Sequence, residues 1–235
     1  MDLQHRIEQP DWNKISSRLN ENGYALISNI LTAVECESLI NEYDNSGLYR
    51  KTINMERYRF GQGEYKYFNY PLPNIIQQVR QNVYPYLASI ANSWMRVLNI
   101  NKHFPDNLDE LLEQCHIHQQ TRPTPLILKY GKGGYNTLHQ DLYGEIYFPM
   151  QLVLFLNEHD KDYEGGEFVL IEQRPRAQSK AIVLKPGKGD MLIFTTNFRP
   201  VKGSKGYYRV NMKHGVSEIK LGNRHTLGVI FHDAS

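Results

Sequence analysis

What this chain of 235 residues lacks already narrows what it can be. It has two cysteines, Cys36 and Cys115, and neither belongs to a C-x-x-C pair. That excludes the dense disulfide framework of a small secreted domain, and leaves two reduced, partly buried thiols of a cytosolic protein as the expectation. No apolar run reaches the roughly 18 residues a membrane-spanning helix needs. The first residues, Met1 to Glu8, mix charged with apolar groups and carry no signal-peptide core. A soluble, cytoplasmic protein with no membrane partner is therefore expected. Charge of one sign is missing too: 27 Lys and Arg face 25 Asp and Glu, for a net charge of +2 and a pI near 8.4. Such a mild excess does not announce a nucleic-acid face. No internal repeat or low-complexity block is present, which removes solenoids and propellers. Tryptophan is scarce at 2, whereas tyrosine is plentiful, 16 against 9 Phe. Tyrosine has an apolar body and a polar tip, a combination suited to a wet pocket.

What is present changes character near Thr121. Before it, helical spacing dominates. Trp12 to Asn20 reads as a helix, Tyr24 to Ser28 as a strand, and Thr32-Ala33-Val34-Glu35 as a capping box opening a helix that runs to about Tyr43. A longer helix is predicted over Asn74 to Leu98, bent or interrupted at Pro85, and another over Asn107 to Gln119. After Thr121 the period drops to two, with glycine-rich turns between short apolar runs. Eight strands are predicted: Leu126 to Tyr130, Thr137 to Asp141, Gln151 to Leu156, Glu167 to Ile171, Ala181 to Leu184, Met191 to Thr195, Tyr208 to His214 and Thr226 to Phe231. The expected fold class is α+β, mostly β with a helical N-terminal part. Residues 1–120 would serve as helical support for a jelly-roll core over 121–235, a double-stranded β-helix, in one domain spanning 1–235.

His139-Gln140-Asp141 falls in the second of these strands, where alternation sends both ligand-type side chains to one face. Alone, the triplet reads equally well as a surface His and Asp near a turn. His214, at the end of the seventh strand, changes the balance, because the second and seventh strands of a jelly roll can lie side by side. Two neutral imidazoles and one carboxylate leave three adjacent positions open on a metal, the arrangement used by Fe(II) oxygenases. Arg224 stands ten residues beyond His214, across the Leu221-Gly222-Asn223 turn. There its guanidinium can grip the distal carboxylate of 2-oxoglutarate with two hydrogen bonds, helped by the hydroxyls of Thr226 and Tyr130.

At these residues the sequence resembles the 2-oxoglutarate and Fe(II)-dependent oxygenase superfamily. The resemblance is carried by Tyr130-Gly131, His139-x-Asp141, Gly165-Gly166-Glu167-Phe168, Gly189-Asp190-Met191-Leu192-Ile193-Phe194, His214 and Arg224, and it covers roughly Pro125 to Asp233. The spacing from His214 to Arg224, the Gly-Gly-Glu-Phe turn and the preceding helices look like the prolyl-4-hydroxylase branch. Tyr130 to Asp141 also looks like the oxidative demethylases that repair alkylated bases. A closer resemblance is to a bacterial oxygenase family described as acting on damaged DNA, through His139 to Glu145, Glu167 to Arg176 and His214-Gly215-Val216-Ser217. The segment after Arg224 lacks the closing motif of the demethylases.

The resemblance implies Fe(II), 2-oxoglutarate and O2 as cofactor and co-substrates, with a C–H bond hydroxylated while 2-oxoglutarate leaves as succinate and CO2. The first substrate expected is a protein or peptide side chain, approached across Tyr143, Tyr147 and Tyr163. The second is an alkylated base in DNA or RNA, with Arg174-Pro175-Arg176 and Lys202 to Arg209 binding the strand beside Tyr207 and Tyr208. A third reading is a non-catalytic, cupin-like metal-binding module. Arg57, Arg59 and Tyr65 to Tyr70 are expected either as a lid over the pocket or as an ordinary polar loop, and Glu145 and Gln151 as residues that face the substrate.

Overall fold

The computed structural model describes residues 2–142 and 144–235. In the first half it contains α1 (Leu3–Glu8), α2 (Trp12–Asn22), β1 (Tyr24–Ile27), α3 (Ala33–Asn41), β2 (Tyr49–Asn54), β3 (Gly61–Gln62), β4 (Glu64–Phe68), α4 (Asn74–Val97) and α5 (Leu108–Ile117). There follow β5 (Leu126–Tyr130), β6 (Tyr135–His139), β7 (Met150–Phe155), β8 (Tyr163–Gly165), β9 (Phe168–Gln173) and β10 (Lys180–Leu184). The chain closes with β11 (Met191–Thr195), β12 (Phe198–Gly203), β13 (Gly206–Val216), β14 (Ile219–Gly222) and β15 (Arg224–Val229).

Local chemistry accounts for the helix boundaries. Asp11 caps α2 by accepting from the backbone N–H groups of Asn13 and Lys14, and Gly23 ends it at φ +78°. Thr32 and Glu35 form the reciprocal capping box of α3. Helix α4 runs 24 residues with Pro85 inside it, so the proline does not interrupt it.

Two antiparallel sheets make the body. The larger runs β1-β11-β7-β15-β5-β4-β2, and the smaller β10-β9-β13-β6-β3, with β12 also paired to β13. Period-two alternation divides the larger sheet between two cores. Met150, Leu152 and Leu154 of β7 and Met191 and Ile193 of β11 face outward into a core shared with α1 to α5. Val153 and Phe155, with Leu192 and Phe194, face inward against Phe168, Leu170 and Met212 of the smaller sheet. Each such side chain, fully buried, contributes about 1.5–3 kcal/mol; the inner core packs the two sheets as a sandwich and the outer one fastens the helices to the larger sheet.

The jelly roll and all eight predicted strands are present, within a residue or two at most ends. Two expectations are corrected. Residues 1–120 hold more strand than expected: beside β1, which matches the strand predicted at Tyr24 to Ser28, β2 and β4 extend the larger sheet and β3 the smaller. The alternation of β2 and β4 is diluted by charged and tyrosine residues, most of them half-buried, which hides them from a periodicity reading. The second predicted strand ends at His139 rather than Asp141. Among the described residues, no helix is long and apolar enough to cross a membrane.

Candidate metal centre and its cavity

Strands β6 and β13 are antiparallel neighbours, and His139 stands directly opposite His214 in their register, with ring centroids 4.1 Å apart. Asp141 reaches the same point from two residues beyond the end of β6. Its Oδ1 lies 3.6 Å from His139 Nε2 and its Oδ2 lies 3.4 Å from His214 Nε2. One ligand atom from each of the three residues falls within 4.8 Å of the others. His139 Nδ1 donates to the carbonyl of Thr137 at 2.7 Å. Because a carbonyl only accepts, this bond fixes the proton on Nδ1 and leaves Nε2 as the free lone pair aimed at the cluster.

Electrostatics set the protonation states. Burial, then the neighbouring charge of His214, pushes His139 below the usual imidazole range, against a smaller pull from Asp141. Burial would raise the Asp141 carboxyl. The hydrogen bond and charge of His214, the charge of His139 and the amide of Gln151 outweigh it and hold the carboxyl well below the carboxylate range. An ionised carboxylate beside a neutral imidazole is the state that a divalent metal requires.

Two glutamines brace the triad. Gln140, between the two ligand-type residues, turns the other way. Its Nε2 lies 2.8 Å from the carbonyl of Met212 and 3.0 Å from that of Asn197, tying the triplet to β13 and to the turn before β12. Gln151 of β7 donates to Asp141 Oδ2 at 2.7 Å.

A cavity of about 350 Å³ opens from the triad into the sandwich, lined by Tyr130, Arg224 and Thr226 among others. Arg224 lies directly across from Tyr130, and Thr226 follows on the same face two residues on. Arg224 is fully buried, with its guanidinium carbon 5.4 to 6.0 Å from the rings of Phe155, Tyr130 and Tyr163. Among the described residues no carboxylate pairs with its guanidinium, whose three nitrogens find no well-formed hydrogen bond and whose polar company is the hydroxyl of Tyr163, while the Tyr130 hydroxyl interacts with Asn136. Gly166, at φ +63°, makes room, since a side chain there would press on Ile219 and on Arg224 Cδ. A buried cation without a counter-charge is costly, so the site fits a ligand that brings a carboxylate.

The mouth is built by the first half of the chain. Met55, Phe60, Tyr65 and Tyr67 line the cavity, with Tyr65 and Tyr67 edge to face at 5.4 Å. Residues 56–60 are exposed, and Tyr58 and Phe60 stack with centroids 5.5 Å apart while 53% and 44% exposed. Arg57 and Arg59 flank them. Gly61, at φ +138°, lets this segment meet β6, where a side chain would collide with the carbonyl of Tyr135. Of the expected edge residues, Tyr163 packs on Arg224, Tyr147 lies under Lys102 away from the cavity lining, and Tyr143 is outside the described residues. Glu145 is exposed and pairs with His118 at 3.1 Å. Arg174 is bound to Glu172, and Tyr207 stands seven positions before His214 on β13, roughly 23 Å away at about 3.3 Å per residue. Neither basic segment lines the cavity. Tyr65 and Tyr67 belong to the segment expected as a lid or a polar loop and lie in β4 at the cavity, whereas Met55 and Phe60, in the irregular stretch between β2 and β3, were not singled out.

Residues 63–234 match the family model Oxygenase-NA, described as an oxygenase catalysing oxidative methylation of damaged DNA. Two uncharacterized proteins of Mycobacterium tuberculosis, from two strains, are each 46% identical over 168 residues, covering 72% of this chain and 72% of theirs. Among solved structures, a Pseudomonas putida prolyl-4-hydroxylase is similar in fold, with TM-score 0.54 at 15% identity over 96% of this chain and 100% of that one. A 2OG-Fe(II) oxygenase family oxidoreductase of Burkholderia pseudomallei gives TM-score 0.55 at 12% identity over 97% and 94%.

Proposed function

We propose, from the premise that the chain belongs to the Oxygenase-NA family, that it is an Fe(II) and 2-oxoglutarate-dependent oxygenase acting as one domain over residues 1–235. His139, Asp141 and His214 would hold the iron, and Arg224, with Thr226 and Tyr130, the far carboxylate of 2-oxoglutarate. The observation that carries this reading is the buried guanidinium of Arg224, without a counter-charge among the described residues, in the same cavity as the triad. Iron, 2-oxoglutarate and O2 together supply the oxidation that converts a C–H bond to C–OH, with succinate and CO2 released. The residues of the chain bind, orient and keep water out. His139 and His214 present nitrogen and Asp141 oxygen, Arg224 fixes the length and direction of the keto-diacid, and Val153, Phe168 and Val216 dry the walls. A metal-binding module of the cupin kind, without turnover, has no use for a buried cation that raises the cost of folding.

The prime substrate we favour is an alkylated base in a nucleic acid. The family description names damaged DNA, and the stacked Tyr58 and Phe60 beside Arg57 and Arg59 offer base-stacking faces and phosphate partners at the mouth. If the oxidised carbon is an N-methyl group, hydroxylation leads to formaldehyde and a free nitrogen. Anaerobic loading with Fe(II), then aerobic assay of succinate and formaldehyde across alkylated oligonucleotides and a peptide library, tests both levels. No succinate with any substrate would reject the oxygenase reading. Succinate coupled to peptides alone would reject the nucleic-acid substrate.

A further inference from the structure

Strand β7 is buried along its whole length, and Met150-Gln151-Leu152-Val153-Leu154-Phe155 contains one polar side chain. Gln151 shares the inner face with Val153 and Phe155 and is 5% exposed. Its Nε2 donates to Asp141 Oδ2 at 2.7 Å and lies 3.3 Å from His214 Nε2. A carboxylate can only accept, which sets the amide with nitrogen toward Asp141 and carbonyl away. That carbonyl, Oε1, is buried and has no hydrogen-bond partner among the described residues. An unmade buried acceptor works against folding, so stability alone does not account for an amide at this position.

We infer that Gln151 is a positioning residue of the metal centre, holding Asp141 Oδ2 so that Asp141 offers Oδ1 alone to the ion. The inference rests on reading His139, Asp141 and His214 as iron ligands. Asp141 is the member of the triad that needs such a hold. His139 and His214 are pinned in β6 and β13, whereas Asp141 stands outside any strand. A carboxylate with one oxygen engaged binds through the other. A carboxylate with both oxygens free can chelate and close a position that a bidentate co-substrate or O2 needs. Groups of this kind, one step removed from the ion, typically change metal affinity by roughly 10- to 100-fold.

Gln151→Leu and Gln151→Met in the full chain, each keeping most of the side-chain volume, test the inference through three readouts. These are the anaerobic Fe(II) dissociation constant, the visible absorption of the Co(II)-loaded protein, which reports coordination number, and the thermal midpoint of the metal-free protein. The expected result is Fe(II) binding weakened by roughly 10- to 100-fold, weaker Co(II) absorption as Asp141 becomes bidentate, and a metal-free midpoint equal to or above wild type. Unchanged affinity and spectrum in both variants overturn the inference. So does an affinity loss matched by a fall in the metal-free midpoint, which would mark Gln151 as a packing residue. Wild-type protein that takes up neither ion overturns the ligand reading together with this inference, whereas wild type that binds normally beside unaltered variants overturns this inference alone.

Discussion

His139 and His214 are direct cross-strand partners, 75 residues apart in the chain and 4.1 Å apart between ring centroids. The ladder between β6 and β13 sets that distance, so the spacing of the two imidazoles belongs to the fold and does not wait for a metal. Removal of one ring should leave the fold intact and empty the site. His214→Ala is expected to weaken Fe(II) binding by at least 100-fold with circular dichroism unchanged, and Asp141→Ala to do the same. Unaltered iron loading in both variants, measured by anaerobic equilibrium dialysis, would contradict the ligand assignment.

Arg224 separates iron binding from co-substrate binding. Its guanidinium is buried without a counter-charge among the described residues, so a dicarboxylate that pairs with it should raise the thermal midpoint. At 100 times its dissociation constant, a ligand stabilises by about 2.7 kcal/mol. Wild-type protein is expected to show this shift with 2-oxoglutarate, and Arg224→Met to lose it while keeping Fe(II) affinity. The metal-free variant should be no less stable than wild type, since an apolar chain replaces an unpaired buried charge. An undiminished 2-oxoglutarate shift in Arg224→Met would remove the residue from the co-substrate site.

The parts of this architecture legible in the sequence are those with strong local or chemical signals. The capping box at Thr32 and Glu35, the apolar run of β11 and the spacing of His139, Asp141, His214 and Arg224 each carry their meaning in residue type alone. The parts that escaped depend on partners. Strands β2 and β4 carry Tyr49, Arg50, Lys51, Tyr65, Lys66 and Tyr67, which look polar in sequence. They become strands because one borders β5 and the other closes the sheet edge. Lys66, for example, covers the rings of Tyr43 and Tyr49 with its ammonium at 4.0 and 5.5 Å, an arrangement no periodicity reveals. Asp141 was placed in the strand by alternation, yet it lies beyond the strand end and is met there by the amide of Gln151.

Two other histidines make stability depend on pH. His225 is pushed down to about 4 by burial and then by the charge of Lys129, and His232 to about 4 by burial and then by Arg80. Unfolded imidazoles titrate near 6.5, so between about 6.5 and 4 the unfolded chain binds protons that the folded chain refuses. Stability is therefore complete above pH 6.5 and falls as pH drops through that window, by up to about 3 kcal/mol for each group. Urea midpoints of the metal-free protein should fall from pH 7 to pH 5, and more shallowly in His225→Phe. A midpoint that holds or rises on acidification would contradict the burial of neutral imidazole at both positions.

The end of the chain behind β15 is secured by a buried ion pair. Arg80, on α4, donates to Asp233 Oδ1 at 2.7 Å, to the carbonyl of Phe231 at 2.8 Å and to that of Ile230 at 3.1 Å, and both charged side chains are fully buried. The Tyr70 hydroxyl accepts from Arg80 at 2.8 Å and donates to Asp233 at 2.9 Å. Asp233→Ala strands the guanidinium without its counter-charge and is expected to cost about 3–5 kcal/mol in urea unfolding. Arg80→Met combined with Asp233→Leu removes both charges and should recover most of that loss. A double variant no more stable than Asp233→Ala would mean that the carbonyls of Ile230 and Phe231, rather than the pair, anchor this segment. Because Ile230 and Phe231 directly follow β15, the strand that begins at Arg224, the single variant should also weaken 2-oxoglutarate binding more than iron binding, which links the far face of the larger sheet to the cavity.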